Sequence, residues 1–171
     1  VLSGETIELR EWREADLDAI AALRNDIALQ TLLMSQPRPN SLERVRTWLS
    51  SWAERADAVL FVIVGRADDA VLGYVQVANI DTFHGHGELG ICLSRDAHGK
   101  NLARDACDLL EAYLVKTLVL RKLTLKVLAS NQRAIGFYRK YGYRDVGVLE
   151  RHYRAADVCH DVLVMERHLS S

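Results

Sequence analysis

His98-Gly99-Lys100-Asn101-Leu102-Ala103 lies between two segments of contrasting period. Before it, Glu88-Leu89-Gly90-Ile91-Cys92-Leu93 alternates, which predicts a strand with Leu89, Ile91 and Leu93 on one face and Glu88, Gly90 and Cys92 on the other. After it, Leu102, Ala106, Leu109, Leu110, Tyr113, Leu114 and Leu118 recur at helical spacing. A short glycine-bearing turn therefore opens directly into a helix N-terminus. Unpaired backbone N–H groups converge at such a point and the helix dipole adds partial positive charge, so the turn suits a phosphate or pyrophosphate. It lacks the second glycine and the Lys-Ser/Thr pair of a P-loop, and no G-x-G-x-x-G follows an early strand.

Working outward, Lys122-Leu123-Thr124-Leu125-Lys126-Val127-Leu128 reads as a further strand, followed by a helical segment from Asn131 toward Tyr143. On the N-terminal side a strand is expected over 6–11 and a helix over 14–24. Residues 25–40 read as less regular and hold both prolines, Pro37 and Pro39. Ser41 is placed to cap a helix running to about Glu54, whose Val45, Trp48, Leu49 and Trp52 recur at helical spacing. Residues 59–65 and 71–78 form an antiparallel pair around Ala67-Asp68-Asp69-Ala70, and 143–153 with 158–168 a final hairpin. The fold class is α/β (α+β): one mixed, mostly antiparallel sheet flanked by helices. No composition break marks a boundary, so residues 1–171 are expected to form one domain.

From about Gly73 onward the chain resembles the GNAT superfamily of acetyl-CoA-dependent N-acetyltransferases. The resemblance is carried by the strand, the Gly-Lys turn, the long helix, the next strand and the run Asn131-x-x-Ala134-Ile135-x-x-Tyr138-x-x-x-Gly142-Tyr143. The family's turn has the form Gln/Arg-x-x-Gly-x-Gly/Ala and holds the pyrophosphate of coenzyme A. Here His98 stands at the Gln/Arg position, Asn101 at the first Gly and Ala103 at the last. Asn tolerates the left-handed backbone better than other non-glycine residues and can cap a helix start, and His98 is expected to donate to a phosphate. The resemblance implies that His98, Gly99, Lys100, Asn101, Leu102, Ala103 and Arg104 hold the coenzyme. It further implies that the backbone of Ile91, Cys92 and Leu93 bonds the pantetheine arm and that Asn131 reaches the coenzyme.

Acyl transfer to an amine needs a neutral nucleophile, a polarised thioester carbonyl and a proton for the departing thiolate. Glu88, at the start of the coenzyme strand, is placed to take the ammonium proton directly or through water, although a strand-end carboxylate also fits a plain surface role. Tyr138 stands where family members place the acid for the thiolate, at a spacing that also suits core packing with Ile135 and Tyr141. Cys92 lacks a Cys–His signature, and direct transfer needs no acyl-enzyme. His84-Gly85-His86 has no third and fourth ligand at matching spacing, so no metal is expected.

Net charge is −1, with 22 basic and 23 acidic residues, which gives no bulk attraction for nucleic acid or anionic lipid. The odd set Cys92, Cys107 and Cys159 sits in apolar contexts, so buried reduced thiols and a cytoplasmic location are expected. No signal peptide or long apolar run is evident. The acceptor is expected to be a small primary amine, with a nucleotide-linked amino sugar first, because Leu23-Arg24-Asn25-Asp26, Met34 and the helix at Ser41 resemble amino-sugar acetyltransferases. Residues 147–153 with His160-Asp161-Val162 also resemble members acting on protein N-termini or polyamines. A polyamine wants a dense acidic patch, and the candidate loops offer Asp26, Asp81 and Glu88. Arg24, Arg38 and Arg44 either meet a phosphorylated acceptor or are ordinary surface charges. A homodimer is compatible with this reading. A non-catalytic acyl-CoA sensor would keep the turn without needing Glu88 and Tyr138. A nucleotide switch would need a Mg²⁺-binding Ser/Thr beside Lys100, which is missing.

Overall fold

A computed structural model describes residues 1–170. Eight strands form one sheet: β1 (Leu2–Ser3), β2 (Ile7–Arg10), β3 (Val59–Gly65), β4 (Val71–Asp81), β5 (His86–Leu93), β6 (Lys122–Leu128), β7 (Arg144–Ala155) and β8 (Val158–His168). Their spatial order is β1-β2-β3-β4-β5-β6-β8-β7. Every neighbouring pair is antiparallel except β5–β6. Five helices pack around the sheet: α1 (Leu17–Arg24), α2 (Ile27–Leu32), α3 (Leu42–Glu54), α4 (Leu102–Thr117) and α5 (Gln132–Tyr141).

The alternation along each strand sorts side chains into separate cores, because successive Cβ atoms leave opposite faces. In β3, Ile63 enters the core built with Leu110 and Leu114 of α4 and Ile135 of α5. Its neighbours Val62 and Val64 join Leu17, Ile20, Val45 and Leu49 of α1 and α3 on the other side. In β5, Leu89 and Leu93 belong to the α4 side, whereas Cys92 packs with Leu23, Leu29 and Tyr74. Both faces of the sheet are thus covered.

The parallel β5–β6 pairing is short. It joins His86, Gly87 and Glu88 to Lys122, Leu123 and Thr124 and stops there. Beyond Glu88 the two strands diverge, leaving the backbone of β5 from Leu89 onward unpaired on that side while β4 stays bonded to it through Leu93.

Three details differ from the sequence expectations. Residues 25–40 contain the short helix α2, with Asp26 accepting from the Leu29 N–H at 3.1 Å. Six residues with exposed Ile27 and Leu32 display no amphipathic stripe, so the periodicity was too short to read. The same segment is closed reciprocally: the Asn25 amide donates to the Asn40 carbonyl at 2.9 Å and Asn40 N–H donates to Asn25 Oδ1 at 2.8 Å. Cys92 and Cys107 are buried but Cys159 is exposed, since it lies beside the hairpin turn where β8 has left the core. The segment over 14–24 opens as a 3-10 turn at Glu14–Asp16 before α1 begins. There Asp16 and Arg10 form a buried bidentate ion pair, at 2.8 and 3.0 Å.

Candidate active site

The divergence of β5 and β6 opens a cavity of about 800 Å³. One wall is β5 from Glu88 to Leu93, and the other is Lys126 and Val127 of β6 with Asn131, Tyr138 and neighbours on α5. Gly99 and Asn101 through Arg104 close one end. The β5 backbone along this wall is available to an extended ligand, as a strand edge is to a partner strand.

At the closed end the turn has the conformation that an anion cradle needs. Gly99 and Asn101 take left-handed backbone angles, with φ of 78° and 59°. Asn101 precedes α4 and makes no side-chain cap, so the first-turn N–H groups of that helix are left for an external acceptor. The tolerance of Asn for this geometry is thus used, and its capping ability is not.

The side chain of His98 is not free to donate to a phosphate, which corrects the sequence expectation. Its Nε2 donates to the Leu93 carbonyl at 3.2 Å, and its Nδ1 accepts from the Arg133 guanidinium at 2.8 Å. A ring that donates at one nitrogen and accepts at the other is neutral. Burial first, and the Arg133 charge second, lower its basicity and favour that form. Arg133 rather than His98 therefore presents charge at the mouth of the turn. Lys100 does not line the cavity; the other coenzyme residues named from the sequence all do.

Tyr138 sits on α5 with 9% of its surface exposed, packed edge-on against Phe137 and Tyr143. Among the described residues its hydroxyl has no hydrogen-bond partner, and Tyr138 lines the cavity. Burial pushes its pKa well above the ordinary phenol value, so it stays protonated across the working range. Gly142, at φ 118°, ends α5 and lets the Tyr143 N–H close back on the Tyr138 carbonyl at 2.9 Å. Asn131 accepts from the Ala134 N–H at 3.3 Å, capping α5, and lines the cavity as well.

Glu88 stands where the β5–β6 pairing ends, with Asn79 donating to its Oε2 at 3.4 Å. Cys92 shares that face, but burial pushes its thiol up to about 11, which keeps it an uncharged thiol and a poor nucleophile. Between them Gly90 lies opposite Gln76 in the β4–β5 register. A Cβ at Gly90 would stand 3.0 Å from Gln76 Nε2, so the missing side chain gives Gln76 its place. Gln76, Gly90, Ile91 and Cys92 also line a second cavity of about 500 Å³ on the side of α1 and α3. The C-terminal hairpin reaches the same region: the Tyr153 hydroxyl donates to the Ser35 carbonyl at 3.0 Å.

Arg133, Lys126 and Gln76 went unread in the sequence, as did the convergence of Arg24, Arg38 and Arg44 on one cavity. Arg133, two residues past the Asn131 cap in the first turn of α5, was the one with a local signal.

The family described as acetyltransferase (GNAT) domain matches residues 6–144. Spermidine N(1)-acetyltransferase of Escherichia coli (strain K12) is 28% identical over 147 residues, covering 86% of this chain and 77% of that protein. The putative ribosomal N-acetyltransferase YdaF of Bacillus subtilis (strain 168) is 22% identical over 144 residues, covering 83% and 79%. The fold is shared with spermidine N-acetyltransferase from Vibrio cholerae, solved with CoA and spermine, at a TM-score of 0.87, 22% identity and 95% coverage of both chains. The chain belongs to the GNAT acetyltransferase family. Its activity is accordingly acetyl-CoA-dependent N-acetylation. Among the described residues no helix is long and apolar enough to cross a membrane.

Proposed function

We propose that the protein moves the acetyl group of acetyl-CoA directly to the primary amine of a small molecule, with Glu88 as base and Tyr138 as acid. The observation that carries this reading is the single cavity shared by the unpaired β5 edge, Glu88, Tyr138 and the α4 N-terminus. The diphosphate seats on the backbone N–H groups of the Gly99–Arg104 turn beside Arg133, and the pantetheine arm lies along β5 at Ile91–Leu93. A β5 N–H polarises the thioester carbonyl. Glu88 drains the ammonium proton, directly or through water, and the amine nitrogen attacks the carbonyl carbon. As the C–S bond breaks, Tyr138, which burial keeps in its protonated form, gives its proton to the sulfur.

Of the acceptors expected from the sequence, the relatives named as spermidine N-acetyltransferases support a polyamine over a nucleotide-linked amino sugar, and both enter the test. The test is release of free CoA thiol from acetyl-CoA with the purified protein across a panel of amino sugars, polyamines and peptide N-terminal amines. Acetylation of a panel member supports the reading. Tight acetyl-CoA binding without turnover of any of them overturns it in favour of an acyl-CoA sensor.

A further inference from the structure

The second cavity meets the first at Gln76, Gly90, Ile91 and Cys92, which places it beside the reacting end of the proposed site. Its lining holds Arg24, Arg38 and Arg44 with the aromatic rings of Trp48, Trp52 and Tyr74, and no carboxylate. Arg10, Arg13, Arg46, Arg55, Arg95, Arg139, Arg144 and Arg167 each meet a carboxylate elsewhere in the molecule. The three arginines of this cavity meet none among the described residues.

Two buried atoms in this lining lack partners. Arg24 lies with Cζ 4.0 Å above the Trp48 ring, and its Nε is buried without a hydrogen-bond acceptor. Gln76 Oε1, at the junction of the two cavities, is buried without a donor. A desolvated polar atom left unpaired is costly, so two such atoms in one lining mark it as built for something other than its own stability. Arg44 adds a field argument. It occupies the first turn of α3, where a cation opposes the helix dipole, so its local surroundings do not account for the charge. Among the described residues the Arg38 guanidinium, on the opposing loop, donates to the neutral Gln36 Oε1 alone, at 2.7 Å.

We infer that the acceptor amine carries an anionic group, a phosphate or a carboxylate, which seats among Arg24, Arg38 and Arg44 while its amine reaches the Gln76 junction. This inference rests on the N-acetyltransferase reading above and names its substrate class. Trp48 and Trp52 supply a flat apolar wall for the body between the two groups. A polyamine is poorly matched, since its further ammonium groups would face three unpaired guanidinium groups. The carboxylates closest in sequence are already engaged, Asp26 by Arg95 at 2.8 and 2.9 Å and Glu43 by Arg46. The spermidine specificity of relatives is therefore not expected to extend to this chain.

The experiment follows tryptophan fluorescence of CoA-saturated protein during titration with matched amines: glucosamine 6-phosphate against glucosamine, phenylalanine against phenethylamine, and spermidine. The phosphate and carboxylate arms distinguish the two anion sources. At least one anionic amine is expected to bind about tenfold or more tighter than its uncharged-tail counterpart, and Arg24→Met and Arg44→Met to erase most of that margin. The conservative Arg24→Lys separates charge from the stacked, forked geometry, and is expected to restore only part of it. Equal binding within both pairs, or spermidine binding that exceeds both anionic amines, overturns the inference. Because this readout is binding, it stands apart from the free-thiol assay: anion-dependent binding with no acetylation would sink the catalytic reading instead.

Discussion

Arg133 donates to Nδ1 of His98 across 2.8 Å, while Nε2 of the same ring donates to the Leu93 carbonyl. The ring thus ties the end of β5 to the first turn of α5, across the mouth of the coenzyme cleft. A protonated ring has no acceptor nitrogen for Arg133 and repels it. Because burial and then the Arg133 charge lower the His98 pKa in the folded protein, the native state binds fewer protons here than the unfolded chain. The stability associated with the neutral ring is complete above about pH 6.5 and is lost as pH falls from there through the folded-state pKa. Thermal melts between pH 7.5 and 5 should show this fall in the parent and a flatter profile in His98→Gln. An identical slope in the variant would assign the pH dependence elsewhere.

The left-handed backbone at Asn101 gives a second expectation. Asn101→Gly suits φ of 59° and should bind CoA as the parent does. Asn101→Pro cannot adopt that angle and removes an N–H, so affinity should fall by tenfold or more. Lys100→Ala, outside the cavity lining, should change affinity only modestly. Calorimetric titration measures all three, with a melting curve to confirm that the proline variant is folded.

Glu88→Gln retains shape and removes basicity. CoA affinity should persist while turnover falls by about 10²–10⁴. Parent-like turnover across pH would move proton removal to water or to another residue such as His84.

Tyr138→Phe keeps the buried ring against Phe137 and Tyr143 and removes the hydroxyl with its transferable proton. Turnover should drop with little change in melting temperature or coenzyme affinity. Since burial pushes the phenol up, ionisation of Tyr138 should produce no alkaline decline in the parent rate below about pH 10. A variant that melts far lower yet retains kcat would make Tyr138 a packing residue.

The Arg10–Asp16 pair, 2% and 3% exposed, yields a stability prediction remote from the cavity. Asp16→Asn removes the buried counter-charge of Arg10 and leaves it only the half-exposed Asp69 at 3.1 Å, so it should cost about 3 kcal/mol in denaturant unfolding, the low end for a broken buried pair. Burial by itself drives the Asp16 carboxyl up, but the Arg10 guanidinium and the Arg13 N–H together hold it below the ordinary carboxylate value. Its contribution is therefore present above about pH 4 and lost as pH falls through the lowered folded value. A loss under 1 kcal/mol would show that the pair is replaceable by neutral hydrogen bonds.

What the sequence made legible was whatever rested on period and local chemistry. The strand Lys122–Leu128 was read to the residue, and the Ser41 cap and the faces of β5 followed from spacing alone. Helix α2 was lost because six residues offer too little periodicity, and Asn25-Asp26 reads first as a turn. The engagement of His98 needs knowledge that Arg133, 35 residues later, returns to the same turn. The arginine-lined cavity is harder still, since α1, the 33–40 loop and α3 converge only through tertiary packing. Arg24, Arg38 and Arg44 were visible, but whether they were ordinary charges or a cluster was a question of assembly.

The hydrogen bond from the Tyr153 hydroxyl to the Ser35 carbonyl has a consequence in time as well as in space. Its two ends are 118 residues apart in the chain. During synthesis the 33–40 loop has to wait for the closing hairpin before that brace exists, whereas the β3–β4 pair and its turn can form from neighbouring residues. The second cavity is thus finished after the strands that first shape the sheet. A chain stalled before β7 would have the early scaffold without the strut that holds the 33–40 loop in place.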